Sequence, residues 1–416
     1  MASADVVIIG GGVAGLWTLD QLVREGHPAV LLESSRLGEG QTVAAQGIIH
    51  GGLKYSLSGT TSRRALGVKQ MPELWSECLS GSRAPDLRDV ILRSRSCLLW
   101  HGQSLGSRLG FLGARLGLQV TPRPVDSAQR PPVLRDHRGV VAVMDEPVID
   151  PVSLIDLFAR RHRERLFLCD RDGISWQLDG PGQVRGLVIR HPWDRLPGSG
   201  LSFAPRAVVL CAGAGNAALR EQLGLSATVM QRRPLHMVML RGDPSQLPEL
   251  CGHQVDGSHT RLTITSALDS LGRRVWQLGG QVAEDGVSMT DVELVDHVAL
   301  ELAAVLPGLE LEGLEVSTYR VDRAESFCSG GGRPECQSVR LDGNTLTAFP
   351  TKLALAPALA QDIITAIAAL PAAVGPKPTT VSTTQDWPRP EVASPPWETA
   401  TGWVRLVKGS TSRQAA

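Results

Sequence analysis

The first 32 residues contain two short apolar runs, and between them apolar residues recur at the spacing of a helix. Residues 6–9 are four consecutive apolar residues, typical of a strand buried in a parallel sheet. Apolar residues then recur at intervals of three and four across 16–23, which predicts an amphipathic helix. A Gly-His-Pro break at 26–28 ends this helix, and residues 29–32 form a second apolar run. The pattern therefore predicts a β-α-β unit.

Further elements follow from the same criteria along the rest of the chain. Asp150 before Pro151 suits a helix N-cap with proline at the first helical position. Apolar positions then continue that helix toward Arg160. Also predicted are strands near 166–169 and 184–190 joined as a hairpin around 180–182, strands near 207–215, 235–240, 260–265, 275–279 and 314–321, a helix at 291–306, a hairpin at 342–344, and an apolar alanine-rich segment at 351–370.

Composition narrows the class of protein. The 416 residues suit two domains. With 42 basic and 42 acidic residues the formal net charge is zero, so no nucleic-acid partner is expected. Seven scattered cysteines without a C-x-x-C pair predict reduced thiols, with neither a disulfide framework nor a metal site. No signal peptide or membrane-spanning run is evident, so we expect a cytoplasmic protein, with peripheral membrane contact left open.

The turn between the first strand and the first helix carries the clearest chemistry. Gly10, Gly12 and Gly15 have the G-x-G-x-x-G spacing, with Val13 and Ala14 between the last two glycines. The first glycine permits a tight turn, the second lets the backbone approach a pyrophosphate, and the third lets helix and strand pack closely. The motif predicts that a dinucleotide binds here.

The end of the second strand indicates which dinucleotide. Glu33 lies about twenty residues after the glycines, where a carboxylate binds a ribose diol. Ser34 follows Glu33 and is counted with it among the cofactor-binding positions. Arg36 lies nearby, and its positive charge would suit the 2′-phosphate of NADP. Because Glu33 is acidic, NAD or FAD is nevertheless favoured over NADP. No second glycine motif follows a strand, so this site is expected to hold the redox cofactor itself.

A family resemblance emerges at 40–55, GQTVAAQGIIHGGLKY. This segment resembles the D-amino acid oxidase and glycerol-3-phosphate dehydrogenase superfamily of FAD-dependent oxidoreductases, and is most similar to the His-Gly-Gly-x-Arg-Tyr run of the second branch. Three later segments, 148–157, 207–213 and 349–360, fit the superfamily in order. Lys54 stands where that branch has arginine. The positive charge is kept, but the planar guanidinium group, which can donate two parallel hydrogen bonds, is lost.

The resemblance implies FAD as the cofactor and a set of residues around it. His50 would lie beside the isoalloxazine ring, either packed against it or, as in some relatives, covalently attached. Thr351 and Lys352 would meet the flavin pyrimidine, where a positive charge stabilises the reduced ring. The remaining cofactor-binding positions implied are Thr42, Gln46, Gly47, Ala212, Gly213 and Leu353.

Candidates for binding and oxidising the substrate are fewer. On the resemblance, Lys54 and Tyr55 would point into the substrate cavity, with a salt bridge and an ordinary buried phenol as the alternatives. Arg320 occupies the place of a substrate-binding arginine and would clamp a carboxylate or phosphate, unless it forms a surface ion pair. His236 would act as a base for an alcohol or amine proton, unless its role is structural.

The expected fold is a two-domain α/β (α+β) protein. A Rossmann-like FAD-binding domain would be built from 1–78, 140–234 and 322–370, and an antiparallel-sheet substrate domain from 79–139 and 235–321. Residues 371–416 form a proline-rich C-terminal tail. Its tryptophans suggest that part of the tail docks on the body of the protein.

The resemblance implies hydride transfer to flavin N5 from a carbon bearing OH or NH₂ in a small anionic substrate. A 2-hydroxyacid or polyol phosphate is preferred to an amino acid or amine. The electron acceptor would be oxygen, a quinone or a protein. Two alternatives from other classes remain: a flavin-dependent RNA-modifying protein, and a subunit that holds FAD within a larger complex and binds a partner through its tail.

Overall fold

The computed structural model describes residues 4–51, 70–101, 122–193, 200–256, 259–330, 332–371 and 386–407. In chain order its strands are β1 Val6–Ile9, β2 Ala29–Glu33, β3 Leu92–Ser94, β4 Cys97–His101, β5 Arg123–Pro124, β6 Val141–Met144, β7 Val148–Ile149, β8 Leu166–Leu168, β9 Ile174–Gly180, β10 Gln183–Arg190, β11 Gly200–Phe203, β12 Ala207–Leu210, β13 Met230–Gly242, β14 Gly252–Asp256, β15 His259–Leu268, β16 Arg274–Gly279, β17 Glu315–Ser326, β18 Ser338–Asp342, β19 Thr345–Phe349 and β20 Val404–Arg405.

The α-helices of the same residues are α1 Val13–Arg24, α2 Met71–Ser80, α3 Pro151–His162, α4 Asn216–Gln222, α5 Gln281–Asp285, α6 Asp291–Val305, α7 Ala356–Ala368 and α8 Pro396–Thr399. None of them is both long and apolar enough to cross a membrane.

A six-stranded sheet in the order β18-β19-β12-β1-β2-β8 forms the centre of the first layer system. Its strands are parallel except for β18, which pairs antiparallel with β19. Strand β1 is buried on both faces, because Val6 and Ile8 pack with the helices α1, α3 and α7. Val7 and Ile9 pack with the three-stranded sheet β11-β10-β9 on the other side. This double burial explains the unbroken apolar run.

A nine-stranded sheet in the order β20-β17-β13-β16-β15-β14-β4-β6-β5 forms the second layer system. It is mostly antiparallel, with β14 and β4 running parallel. One face packs under α6, where Leu294 and Val298 meet Val238 and Leu240 of β13. Successive side chains of a strand point to opposite faces, so Met237 and Met239 lie on the other face. The two-domain α/β fold predicted from the sequence is confirmed.

Two strand assignments differ from those predicted. The turn at 181–182 joins β10 to β9, whereas β8 pairs parallel with β2 in the six-stranded sheet. Strand β9 escaped prediction because most of its residues are partly or fully exposed, so it lacks an apolar run. Strand β6 belongs to the nine-stranded sheet, although the predicted cofactor domain resumed at residue 140.

The described part of the tail crosses both sheets. Trp387 is buried in the core beneath the three-stranded sheet, and its Nε1 donates a hydrogen bond to the Leu168 carbonyl at 2.8 Å. Trp397 is buried against Met239 on the nine-stranded sheet, and β20 adds to the edge of that sheet beside β17. This part of the tail therefore packs on the body of its own chain.

A buried ion cluster joins α1 to α3. The Asp20 side chain is fully buried and accepts hydrogen bonds from His162 at 2.8 Å, Arg161 at 3.0 Å and Arg24 at 2.7 Å. Burial acts to raise the pKa of Asp20, but these three partners outweigh it and lower the pKa to about 2. The helix that carries the glycine motif is thereby fixed to the layer behind it.

We expect Asp20→Asn to lower the free energy of unfolding by about 2–4 kcal/mol at pH 7, because it leaves buried cationic partners without a carboxylate. Since the folded-state pKa is depressed, this stabilisation is present above the unfolded value near 3.8 and is lost as the pH falls toward 2. Urea unfolding of the variant and the wild type at fixed FAD concentration, from pH 7 to pH 3, measures it.

Asp156→Asn is the matched control. Asp156 pairs with Arg160 one helical turn away on the exposed face of α3, so its loss should change stability by less than about 0.5 kcal/mol. Equal effects of the two substitutions would show that the Asp20 cluster has no special role.

Candidate active site

A cavity of about 1080 Å³ lies between the two layer systems, at the carboxyl ends of β1, β2 and β12. Ligands of open α/β sheets bind at this edge of the strands. The predicted cofactor-site residues that line this central cavity are Gly10, Gly12, Val13, Ala14, Glu33, Ser34, Arg36, Thr42, Gln46, Gly47, Ala212, Gly213, Thr351, Lys352 and Leu353. Gly15 lies directly behind them.

The glycines of the first turn are required for different reasons. Gly10 has φ +110°, and a Cβ there would lie 2.6 Å from the Ala212 backbone. A Cβ at Gly15 would lie 2.0 Å from the Gly10 carbonyl oxygen, so helix and strand approach closely there. At Gly12 a Cβ would meet only Thr42 Oγ1, at 3.1 Å. The space beside Gly12 thus belongs to the cavity, and the fold itself does not need it empty.

The amino end of α1 faces this space. Its N-cap is Gly12, which makes no side-chain capping bond, while the Val13 N–H donates to Thr42 Oγ1 at 3.1 Å. A helix of 12 residues presents partial positive charge and backbone N–H groups at this end. The arrangement suits a pyrophosphate and satisfies the geometry that the glycine motif predicts.

Glu33 is the last residue of β2 and lines the cavity beside the glycine turn. Its carboxylate accepts hydrogen bonds from the backbone N–H groups of Gly11 at 2.6 Å, Ser34 at 2.7 Å and Ser35 at 2.9 Å. Burial raises the pKa of Glu33 despite these bonds, which favour the charged form. Ser34 and Arg36 are exposed beside it. The carboxylate is held where a ribose diol would reach it.

The loop of residues 41–50 lies between the two sheets. Gln46 Nε2 donates to the Thr263 carbonyl at 3.1 Å and to the Gln277 carbonyl at 2.9 Å, so it is tied to β15 and β16. The Tyr319 hydroxyl of β17 donates to the Ala44 carbonyl at 2.9 Å. Gly47 has φ +79°, and a Cβ there would lie 2.0 Å from the Ile149 carbonyl oxygen. The loop is therefore fixed from both sides.

The segment of residues 350–355 closes the cavity from the end of β19. Thr351 has φ +63° and donates from Oγ1 to the Cys336 carbonyl at 2.7 Å. Such a conformation in a β-branched residue is strained and concentrates at functional sites. A single 3₁₀ turn, Leu353–Leu355, follows, and α7 begins only at Ala356 with Pro357 in its first turn, where proline is tolerated.

Two histidines and one glutamate meet at the wall of the cavity. His50 Nδ1 lies 3.6 Å from Glu146 Oε2, and His253 Nε2 lies 3.8 Å from the same oxygen. Glu146 and His253 are buried, while 38% of the His50 side chain is exposed, on the cavity side. Glu146 Oε1 accepts the Gly51 N–H at 2.6 Å, and His253 Nδ1 lies 3.0 Å from Thr263 Oγ1.

Charge and burial act in opposite directions on this cluster. Burial lowers the pKa of His50 to about 4, although Glu146 acts to raise it. Burial also disfavours the charged form of Glu146, but the two imidazoles outweigh it and hold the pKa of that carboxyl below its usual range. The cluster therefore carries an ionised carboxylate in a site where water is scarce.

Two predicted substrate residues, His236 and Arg320, are held by backbone carbonyls on the α6 side of the nine-stranded sheet. His236 lies on the α6 face of β13, with Nδ1 3.0 Å from the Gly286 carbonyl and Nε2 3.0 Å from Asp291. Arg320 is its cross-strand partner on the same face and donates to the carbonyls of Val287 and Met289 at 3.0 and 2.8 Å. Both side chains hold the segment before α6. Arg320 also borders the cavity, but its guanidinium is engaged by these two carbonyls.

Arg323 occupies the place expected for Arg320. It is three residues further along β17, and an odd separation puts it on the opposite face of the strand, toward the cavity. Its guanidinium donates to Glu284 at 3.1 Å, and its buried Nε has no hydrogen-bond partner among the described residues. Burial lowers the pKa of Arg323, helped by the charges of Arg233 and Arg333.

Glu146, His253 and Arg323 were not identified from the sequence. Glu146 and His253 lie about 100 and 200 residues from His50, so no local spacing links them. The pairing of β14 with β4 and of β4 with β6 brings His253 to Glu146, and a bridge between Ile48 and Val148 brings His50 there. Arg323 lies three residues after Arg320, the arginine that the resemblance indicated. Lys54 and Tyr55, the remaining candidates, lie outside the described residues.

Comparison with known proteins finds relatives over nearly the whole chain. A probable FAD-dependent oxidoreductase of Pseudomonas aeruginosa, PA4991, is 37% identical over 402 residues, which cover 96% of this chain and 98% of that protein. Its crystal structure superposes with a TM-score of 0.77 at 34% identity, over 95% of this chain and 98% of the other.

More distant structures share the fold. Glycine oxidase from Geobacillus kaustophilus has a TM-score of 0.63 at 17% identity, over 92% of this chain and 99% of its own. The L-α-glycerophosphate oxidase from Mycoplasma pneumoniae, with FAD bound, has a TM-score of 0.61 at 14% identity, over 88% and 95%. The family described as FAD-dependent oxidoreductase matches residues 5–345. The chain therefore belongs to this family of FAD-dependent oxidoreductases.

Proposed function

We propose that the protein oxidises a small anionic substrate at a carbon that carries a hydroxyl or amino group. Bound FAD would supply the hydride acceptor, flavin N5, and the final electron acceptor would be oxygen, a quinone or a protein. One observation carries the proposal: a single cavity contains both the dinucleotide-binding turn and a wall of imidazole and cationic side chains. A cavity of about 1080 Å³ has room for the cofactor and a small substrate together.

The residues around the cavity divide by the part of FAD that they suit. The turn at Gly12 and the amino end of α1 would hold the pyrophosphate, and Glu33 would hold the ribose. Thr42, Gln46 and Gly47 would lie along the loop that borders the ring. Lys352 would place positive charge at the pyrimidine edge. The empty space beside Gly12, which a Cβ would fill, is the structural support for this placement.

Arg323 is the group best placed to bind the anionic part of the substrate. It lines the cavity and is mostly buried, with 14% of its side chain exposed. Glu284 balances only part of the local positive charge, because Arg233 shares the same carboxylate at 3.4 Å. Because its Nε has no hydrogen-bond partner within the described part of the chain, Arg323 offers a donor to a bound molecule. A carboxylate or phosphate would accept it in a charge-assisted hydrogen bond.

His50 would receive the reacting end of the substrate. Its ring and that of His253 line the cavity, with centroids 5.4 Å apart. A hydroxyl or amino group beside the His50 ring would donate a hydrogen bond to His50 Nε2, the nitrogen that does not face Glu146, which gives its proton a path away as the hydride leaves the same carbon. Because alcohol oxidation requires loss of the hydroxyl proton, this arrangement favours a 2-hydroxyacid or polyol phosphate over an amine.

The two alternatives from other classes gain no support. A neutral chain offers nucleic acid no overall attraction. The idea of an FAD-holding subunit depended on tail tryptophans reserved for a partner, whereas Trp387 and Trp397 are buried against this chain itself.

Anaerobic mixing with a panel of 2-hydroxyacids, glycerol phosphates and amino acids should identify a substrate by loss of visible flavin absorbance. Once it is found, we expect Arg323→Gln to raise its Kd by about 10- to 100-fold, since hydrogen bonds to charged groups contribute about 1.5–3 kcal/mol. Arg320→Gln is the discriminating control and should change the Kd by less than about threefold. A stronger effect at Arg320 than at Arg323 would contradict the assignment.

Substitution of two glycines separates cofactor binding from folding. Gly12→Ala should leave the unfolding temperature of flavin-free protein unchanged, because Gly12 has φ −75° and its Cβ meets only Thr42. It should weaken FAD binding at least about tenfold by blocking the pyrophosphate. Gly15→Ala should instead lower the unfolding temperature, since its Cβ collides with the Gly10 carbonyl. Thermal unfolding and FAD titration of both variants measure the difference, and normal FAD affinity in Gly12→Ala would contradict the placement.

A further inference from the structure

We propose that His50, Glu146 and His253 form a binding site for one divalent transition-metal cation, open to the central cavity. Each residue contributes one ligand atom: His50 Nδ1, Glu146 Oε2 and His253 Nε2. All three atoms lie within 4.8 Å of one another. Metal binding at this site is independent of which substrate the protein oxidises, so the inference goes beyond the proposed function.

The hydrogen bonds around the cluster leave these three atoms for a cation. Only 3% of Glu146 is exposed, and its Oε1 already accepts the Gly51 N–H at 2.6 Å. Its Oε2 has no hydrogen-bond partner among the described residues. A buried carboxylate oxygen without a partner is costly, and a bound cation removes that cost.

The distances exclude direct hydrogen bonds between the histidines and the carboxylate. At 3.6 Å and 3.8 Å, both nitrogen–oxygen separations exceed hydrogen-bond length. If His253 Nδ1 donates to Thr263 Oγ1, then its Nε2 lone pair faces the carboxylate with nothing between them. If Nδ1 accepts instead, the Nε2 proton points toward an oxygen too distant to accept it. A metal ion between the ligand atoms resolves the first case, and its binding would select that tautomer, with the proton on Nδ1, over the second.

Thr263 supplies the support that metal-binding histidines usually have. A histidine ligand commonly uses its other ring nitrogen in a hydrogen bond that fixes the tautomer and ring orientation. His253 Nδ1 and Thr263 Oγ1, 3.0 Å apart and both buried, provide this bond across the β14–β15 pair. Glu146 is likewise oriented by Gly51. Two of the three ligands are therefore preorganised.

Two histidines and one carboxylate are the ligand set of catalytic sites that keep an open position. Zinc in such sites binds ligands at about 2.0–2.2 Å, so its ligand atoms lie about 3.3 Å apart. The two nitrogen–oxygen separations require a contraction of about 0.5 Å or less, and the two histidine nitrogens one of at most about 1.5 Å, within reach of side-chain rotations. The open position faces the cavity because His50 and His253 both line it. Oxygen or nitrogen of a bound molecule would occupy that position.

The test uses full-length, flavin-loaded protein that has been dialysed against a chelator. Calorimetric titration with Zn²⁺ should reveal about one equivalent of tight binding. Titration with Co²⁺ should produce visible absorption bands of a low-coordinate site beyond those of the flavin. Glu146→Gln and His253→Gln should each weaken Zn²⁺ binding at least about tenfold. The matched control is His259→Gln, which removes an exposed histidine of the same sheet and should bind as the wild type does.

A second pair of variants keeps the test decisive if loss of Glu146 prevents folding. Thr263→Ser retains the hydroxyl that orients His253 and should keep the wild-type affinity. Thr263→Val removes the hydroxyl and should weaken Zn²⁺ binding. Absence of stoichiometric binding in the wild type overturns the proposal. It is equally overturned by wild-type affinity in the folded His253→Gln variant, or by equal affinities of the two Thr263 variants.

Discussion

The contact between the loop of residues 41–50 and the nine-stranded sheet sets the geometry of the cavity. Gln46 donates from one amide nitrogen to carbonyls of two neighbouring strands, and Tyr319 reaches the backbone of the same loop. The loop begins eight residues after the end of β2, so its position depends on the six-stranded sheet. Its end carries His50, which meets His253 of the nine-stranded sheet. One loop therefore aligns the cofactor-binding turn with the side chains proposed to bind substrate.

The parts of the fold that were predictable are those specified by local patterns. The β-α-β unit has a continuous buried strand and a helix with one apolar face, and α3 has an Asp-Pro start in which Asp150 accepts the Val152 N–H at 2.8 Å. Helix α6 begins with a capping box at Thr290 and Glu293. By contrast, the pairing of β8 with β2 joins residues more than 130 positions apart. A pattern read along the chain contains no information on such a partner.

The same distinction explains which site residues were predictable. The glycine turn and Glu33 are close in sequence and serve one chemical purpose, so their spacing identifies them. The choice between Arg320 and Arg323 instead depends on which face of β17 points inward, because side chains alternate along a strand and a shift of one residue reverses them. The register of β17 against β13 decides it, by pairing Arg320 with His236 on the α6 face. That register is a tertiary property.

The geometry of the cavity also depends on the C-terminal tail. The Leu37 N–H donates to the Glu391 carbonyl at 2.7 Å, and the Ala393 N–H donates back to Leu37 at 2.9 Å. The next residue, Gly38, donates to the Gly11 carbonyl within the glycine turn at 2.8 Å. Leu37 and Gly38 thus connect the tail to the backbone of the glycine turn. Since Trp387 and Trp397 fix the tail to the two different sheets, the tail holds the cofactor turn and the nine-stranded sheet in one arrangement.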